Sequence, residues 1–542
     1  MRKALAPSSI LLAAVAVIAA PLSAQQVDRS EIARITDQGM NRSEVMLTAE
    51  HMTDRIGSRL TNSPGMRAAE EWTLSRFRGW GLKNAHKEGF DFGRGWWAER
   101  QSARMISPRP IDLTAMAITW TPGTAGRISA PVVVAPMTDE DHFARYRGKL
   151  AGKIVLVTLP NDGSEPGEAP FRRLSGEDLA KLDVYQQQNY DPDAADRRLK
   201  RLDYAKKLDS FLKAEGAVAY VTMSPRDGKL LHGSGYLFGV GETQQVPGFE
   251  FAAEDYRRLA RLAKIGPAPV VELESVVHFE DADTKAYNIL ADIPGSDASG
   301  AYVMAGAHLD SWTAGDGAAD NVAGSAVVME AARILQRMGV KPRRTIRFAL
   351  WSGEEQGLLG SMAYVEQHIA TRQPQPGAPT TGLARFYGWA NRWPIVRQPG
   401  WDKLAAYFNL DNGSGKIRGI YSENNLAAVP TLRDWMAPFA SLGASTVAMR
   451  TTGGTDHMFF SAVGIPAFQF IQDPLDYGSR LHHTSADTFD HLKPADMRQA
   501  SVILAAFLLQ AANAEKPLAR SPFPTEPTVT DPFAYPDPDD LD

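Results

Sequence analysis

The sequence predicts an α/β protein: a mostly parallel, mixed sheet flanked by helices, interrupted by an inserted, mainly β domain. Three observations carry that expectation. From Ala286 onward, short apolar strands alternate with helical stretches, the pattern of parallel strands joined by helices. Between 125 and 280 that alternation stops, and short apolar strands are separated by charged stretches. The chain, at 542 residues, is also longer than one ordinary core supports.

Taken in order, residues 1–24 read as a cleavable signal peptide. Arg2 and Lys3 form a positive end, an apolar run extends from Ile10 to Ala20, and Leu22-Ser23-Ala24 provides the cleavage site. The run is shorter than the about 20 apolar residues a membrane span needs, so a mature, exported chain starting at Gln25 is expected, periplasmic or secreted, with no membrane span. Residues 25–124 are read as the first part of the main domain. Within them 29–85 is helical, with Ala69, Trp72, Leu74 and Phe77 at helical spacing and Gly79 and Gly81 at the end. Residues 86–124, rich in Trp and Phe, suit strands.

The inserted domain is placed at 125–280, with strands at Val132–Ala135, Ile154–Val157, Ala217–Met223 and Val270–Val277. A charged stretch, 161–210, reads as a surface excursion. The main domain resumes over 281–514. Its strands are expected at Asn288–Ile293, Tyr302–His308, Thr345–Trp351, Leu404–Leu410 and Ala467–Ile471, its helices at 321–338, 356–370, 425–442 and 496–513. The Pro/Gly/Trp-rich piece 371–402 is too long for a simple connection and reads as a pocket rim or decoration. The tail 515–542 holds seven prolines among acidic residues and is expected to be extended.

Composition narrows the chemistry. Lys and Arg number 58 against 63 Asp and Glu, so no basic excess is present to neutralise nucleic-acid phosphates. No cysteine is present, which removes disulfides, thiolate metal sites and cysteine nucleophiles. Any metal must be held by His, Asp and Glu.

Five segments concentrate such residues, and four of them end an expected strand. His308 and Asp310 close the strand at 302. Asp320 opens the helix at 321. Glu354 and Glu355 follow the strand at 345, and Asp411 follows the strand at 404. His482 and His483 come after the strand at 467. In an open α/β sheet these ends share one edge, where ligands bind. Imidazole and carboxylate are the ligands a divalent metal takes when thiolate is lacking. Two ions roughly 3.5–4 Å apart need a bridging carboxylate, and an attacking water needs a base. Each residue also has a plainer reading. Asp320 could cap its helix, Glu354 and Glu355 could be first-turn acids, His308 could be a core histidine, Asp411 a turn residue, and His482-His483 a solvated loop. Their convergence on one edge favours a metal site.

These residues, in the runs His308-Leu309-Asp310-Ser311-Trp312, Ala319-Asp320-Asn321, Gly353-Glu354-Glu355-Gln356-Gly357, Asn409-Leu410-Asp411, Gly454-Thr455-Asp456-His457 and His483-Thr484, resemble metallopeptidase family 28. The loop from Asp54 to Gly65 resembles that family too, and 125–280 is similar to its protease-associated insert. The resemblance implies a zinc-exopeptidase-like sheet and two zinc ions per chain. One would be held by His308 and Asp411, the other by Glu355 and His483, with Asp320 bridging. Glu354 would be the general base, Asp310 would orient His308, and Asp456 would support the site. Some members carry Tyr before the last His ligand to stabilise the oxyanion; here that position is His482, so His482 or a more distant group must serve.

The activity implied is hydrolysis of terminal peptide bonds, with aminopeptidase or dipeptidase action favoured over a carboxypeptidase. A single-zinc acyltransferase of the glutaminyl cyclase type is the rival enzyme, and a binding module that has lost catalysis the rival of another class. The expected partner is a peptide or dipeptide, with a homodimer left open.

Overall fold

The computed structural model describes residues 28–526 except 166–168, 187–193, 374–375, 377–380 and 390–391. The expected signal peptide and residues 527–542 of the tail lie outside the described residues. Among the described residues, no helix is long and apolar enough to cross a membrane.

Eight strands form the first sheet, in the spatial order Lys83–Asp91, Lys285–Ile293, Thr345–Trp351, Tyr302–His308, Leu404–Asn409, Ala467–Gln472, Ile417–Tyr421 and Thr446–Ala448. The four strands from Thr345–Trp351 to Ala467–Gln472 run parallel. Antiparallel neighbours flank them on both sides. Every residue of Tyr302–His308 is buried, as a parallel strand covered on both faces requires. Alternate side chains enter two cores. Val303, Ala305 and Ala307 face the helices Arg29–Asn41, Pro64–Trp80, Ala323–Met338 and Pro494–Asn513. Tyr302 and Met304 face an aromatic layer containing Trp351, Tyr364, Tyr407 and Phe460.

Local chemistry fixes the elements. Ser63 caps the helix Pro64–Trp80 by accepting the Met66 N–H, proline occupies its first turn, and Gly81 ends it in the left-handed region. In Pro494–Asn513, every residue from Val502 to Leu509 is buried, so this helix is apolar around its circumference and lies within the core. Two short strands, Ile417–Tyr421 and Thr446–Ala448, extend the sheet beyond the expected set.

The chain leaves this sheet at Asp91 and re-enters it at Lys285, and these two residues pair directly. A second eight-stranded sheet lies between them, ordered Ile111–Asp112, Gly95–Ser107, Val270–Glu280, Ile128–Val134, Ile154–Leu156, Ala219–Met223, Gly248–Phe251 and Ala115–Ala117. This sheet starts at Gly95, ahead of the boundary expected at 125. The aromatic composition of 86–124 suits a strand of either sheet, so it does not say which sheet takes the segment. The second sheet also carries helices, Ala194–Ala214 and Ala253–Ile265, and four of its strands run parallel. Residues 172–173 of the excursion 161–210 return to the first sheet's domain. Arg173 pairs with Asp473 and Asp496 at 2.9 and 2.8 Å, and Arg172 bridges to Leu475.

Candidate metal centre

The parallel strands deliver the site. His308 is the last residue of Tyr302–His308, Glu354 and Glu355 follow Thr345–Trp351, and Asp411 follows Leu404–Asn409. His482 and His483 lie beyond Ala467–Gln472, and Asp320 precedes the helix Ala323–Met338. Gly353 stands at φ +71°, which turns the chain at the strand end and presents both glutamates.

All five expected metal ligands come together. Asp320 stands in the middle with its two oxygens on different partners. Its Oδ1 lies 3.2 Å from His308 Nε2, and its Oδ2 lies 3.3 Å from His483 Nε2. His308 Nε2 is 3.4 Å from Asp411 Oδ1. His483 Nε2 is 2.9 Å from Glu355 Oε2. Glu354 Oε2 lies 3.9 Å from His308 Nε2. Donor atoms of His308, Asp320 and Asp411 fall within 4.8 Å of one another, as do those of Asp320, His482 and His483. His483 is the histidine that reaches Glu355; the His482 ring packs at a tilt against the His483 ring at 3.7 Å and against Tyr477 at 5.1 Å.

This donor set fits a divalent cation. His308 Nε2 is buried with no hydrogen-bond partner, although it points at two carboxylates. Burial drives the Glu354 and Glu355 carboxyls well above their usual range, and neighbouring carboxylates push the same way. Burial opposes charge on His308 as well, but Asp411 and Glu354 outweigh it and hold the imidazole well above its ordinary value. Asp320 moves the other way: burial is overcome by His308 and His483, and its carboxyl is held well below normal. Crowded buried carboxylates repel unless a positive charge joins them. Imidazole and carboxylate with no thiolate is an established ligand set for zinc.

The surrounding residues fix the turns. Asp310 is expected to orient His308. The atom nearest His308 Nδ1 is the Asp310 backbone carbonyl at 3.0 Å, with the carboxylate at 3.7 Å. That carboxylate instead accepts the N–H groups of Glu354 and Glu355 at 3.3 and 3.2 Å and the Thr61 hydroxyl at 3.1 Å. Asp310 thus holds the turn that carries both glutamates. Asp456 is buried beside the site and accepts the Ser361 hydroxyl at 2.5 Å; burial pushes its carboxyl up to about 8.

Four contributors went unread in the sequence. The Tyr477 hydroxyl donates to Asp320 Oδ2 at 3.1 Å. Asp487 accepts backbone N–H groups of Ala319 and Asp320. Arg59, fully buried, donates to the carbonyls of Gly57, Leu309, Asp316 and Gly317. Tyr236, from the second sheet's domain, packs edge-on against Trp312. Asp487 lies four residues past His483, and Arg59 lies within the loop at 54–65, but neither spacing states a partner.

The site opens into a cavity of about 740 Å³. Its floor includes Asp320, Glu354, Glu355, Asp411 and His483, and its far walls come from elsewhere in the chain. Arg198, Arg201 and Tyr236 belong to the inserted region, and Phe386 and Tyr387 place the described helix Leu383–Trp389 of 371–402 on the pocket rim.

A parallel sheet that presents histidines and carboxylates around one shared carboxylate defines a metal-dependent hydrolase. Residues 288–508 match Peptidase family M28. The chain is 26% identical to carboxypeptidase Q of Bos taurus, over 87% of this chain and 85% of that one. It is 32% identical to leupeptin-inactivating enzyme 1 of Streptomyces exfoliatus, over 35% and 36% of the two chains. Among solved structures it superposes on a peptidase M28 precursor from Shewanella amazonensis with a TM-score of 0.64 and 23% identity, covering 92% of this chain and 99% of that one. A zinc aminopeptidase from Bacillus subtilis superposes with a TM-score of 0.55 and 18% identity, covering 87% and 95%. Residues 288–508, which carry every expected metal ligand, form a peptidase family M28 domain.

Proposed function

We propose that the chain holds two zinc ions and removes terminal residues from short peptides, as an aminopeptidase or dipeptidase. The observation that carries the count of two is Asp320, whose oxygens each face a separate histidine, at 3.2 and 3.3 Å. His308 and Asp411 would hold one ion and Glu355 and His483 the other, with Asp320 placed to serve both. Bound zinc supplies Lewis acidity and lowers the pKa of a coordinated water toward about 7. Glu354 accepts the proton of the attacking water and passes it to the leaving amine. Asp310 keeps the turn bearing Glu354 in place through its hydrogen bonds to both glutamate N–H groups. Tyr477, with its hydroxyl beside Asp320 on the cavity wall, is the donor for the developing oxyanion at a site where His482 offers a ring held neutral by burial.

The cavity supports a free carboxylate on the substrate. Arg198 and Arg201 line it from the inserted region, both are exposed, and neither makes an ion pair among the described residues. Guanidinium groups grip carboxylates through paired hydrogen bonds. This observation favours dipeptides and keeps carboxypeptidase action as the second reading. The Bos taurus relative is named a carboxypeptidase and the Bacillus subtilis structure an aminopeptidase, so the names divide in the same way. A glutaminyl cyclase-like enzyme needs one zinc, and the full ligand set counts against it.

Export through cleavage after Ala24 belongs to this reading, and secreted or periplasmic material would begin at Gln25. The test of activity compares zinc-loaded enzyme on free, N-acetylated and C-amidated dipeptides, with zinc counted by elemental analysis. Cleavage of free but not N-acetylated substrate supports the reading. Equal cleavage of N-acetylated peptides makes it a carboxypeptidase. One zinc per chain with cyclisation of N-terminal Gln peptides replaces it with a cyclase.

A further inference from the structure

The segment that carries Asp320 has no regular structure to hold it. Asp320 stands at φ −129° and ψ 82°, outside the helical region, and the helix that follows lacks a side-chain cap. Its geometry therefore depends on tertiary contacts. Two of these reach other ligand turns. The Asn321 side-chain amide donates to the Leu410 carbonyl at 3.0 Å, one residue before Asp411. On the other side, Asp487 accepts the Ala319 N–H at 2.7 Å with Oδ1 and the Asp320 N–H at 3.0 Å with Oδ2. The Asp487 backbone carbonyl also accepts the Asp316 N–H at 2.9 Å, and its own N–H donates to the Thr484 carbonyl at 3.1 Å. The residue is 2% exposed, so nothing in solvent competes for these bonds.

We propose that Asp487 is a positioning residue that sets the bridging carboxylate of Asp320 against the His483 turn. The assignment rests on the di-metal reading of Asp320. A carboxylate that accepts two successive N–H groups fixes the orientation of the peptide between them, and with it the direction in which the Asp320 side chain leaves the backbone. Because Asp487 sits on the same tight turn as His483, it ties that orientation to the second ion's ligand. Arg59 completes the arrangement from the other polarity. Its guanidinium donates to Leu309, Asp316 and Gly317 carbonyls at 2.8, 2.7 and 3.1 Å. The loop joining His308 to Asp320 is thus held by a buried guanidinium on its carbonyls and a buried carboxyl group on its amides. Buried polar groups of this kind persist when their hydrogen bonds are complete.

The test uses the full-length Asp487→Ala and Asp487→Asn variants beside the parent. Each is stripped of metal and reloaded with zinc or with cobalt(II), whose visible absorption reports ligand geometry. Asp487→Ala is expected to bind zinc roughly 10–100-fold more weakly. Its cobalt spectrum should be altered, and kcat on a dipeptide should fall while KM holds. Asp487→Asn keeps one carbonyl acceptor and should recover part of the spectrum and of the affinity; if the alanine variant does not fold, the asparagine variant, intermediate between parent and metal-free behaviour, carries the test. A folded Asp487→Ala with parental zinc affinity and cobalt spectrum overturns the proposal and leaves the di-metal reading intact. A parent chain that binds no second ion overturns the reading beneath it.

Discussion

Asp320 Oδ1 and His308 Nε2 stand 3.2 Å apart in a buried site, with no hydrogen bond to the imidazole nitrogen. A buried ring nitrogen and a carboxylate left this way are both satisfied by one cation between them. His308→Ala should therefore drop zinc content from about two ions per chain to about one, and Asp320→Ala should lower it further because both ions share that ligand. Elemental analysis of purified variants decides this. Parental zinc in Asp320→Ala would remove the bridge.

The two adjacent glutamates are expected to separate by role. Glu355 is within 2.9 Å of His483, while Glu354 stands 3.9 Å from His308. Glu354→Gln should keep its zinc and lose turnover by roughly 10²–10⁴-fold, the usual loss on removing a general base. Glu355→Gln should lose zinc and activity together. Parallel loss of metal in both variants would make Glu354 a ligand as well.

Removing the metal should expose the strain among the carboxylates as a pH dependence. Burial raises Asp456 to about 8 and Asp487 to about 7 from an ordinary 3.8. The folded chain therefore holds protons that the unfolded chain has released, and stability falls as pH rises between those values. His482 works the other way below 6.5, because its folded value is lowered to about 4. The clean window is pH 6.5 to 8. There the midpoint of thermal unfolding of chelator-treated protein should fall with pH, while the zinc-loaded protein stays flatter, since metal binding displaces protons. A metal-free midpoint that rises across this window would contradict the account.

The parallel core of the fold was legible because its strands are continuous apolar runs ending in polar residues. Tyr302–His308 and Thr345–Trp351 occur at the expected bounds. The candidate ligands stood out because His308 ends such a run and Glu355 and Asp411 closely follow one. What escaped were relationships that spacing does not encode. Ile417–Tyr421 and Thr446–Ala448 are short and close one end of the sheet, so their apolar signal is brief. The strand Gly95–Ser107 pairs across the chain with Val270–Glu280, a partnership no local pattern announces. Asp487 looks like an ordinary turn acid until the Ala319 and Asp320 N–H groups are seen on it, and Arg198 looks like part of a solvated helix until the cavity is seen beneath it.

Stability should depend most on the helix inside the first core. Phe507 is fully buried and meets Phe408, Phe470 and Trp435 nearly edge-on at 5.7, 5.3 and 6.1 Å. Phe507→Ala removes those contacts and leaves a cavity, which costs about 3–5 kcal/mol. A urea unfolding midpoint within error of the parent would show that the core collapses around the deletion.

The inserted region's arginines give the last expectation. Arg198 and Arg201 lie one helical turn apart and line the cavity that also holds the candidate metal ligands. A charge-assisted hydrogen bond to a substrate carboxylate is worth about 1.5–3 kcal/mol. Arg201→Ala and Arg198→Ala should therefore raise KM for a free dipeptide by about 10-fold or more while kcat changes little, because neither side chain touches the reacting bond. C-amidated dipeptide, which lacks the carboxylate, should be handled alike by parent and variants. Steady-state kinetics on the two substrates separates binding from chemistry, and an equal KM increase on both would assign the arginines to the cavity's shape instead of to carboxylate recognition.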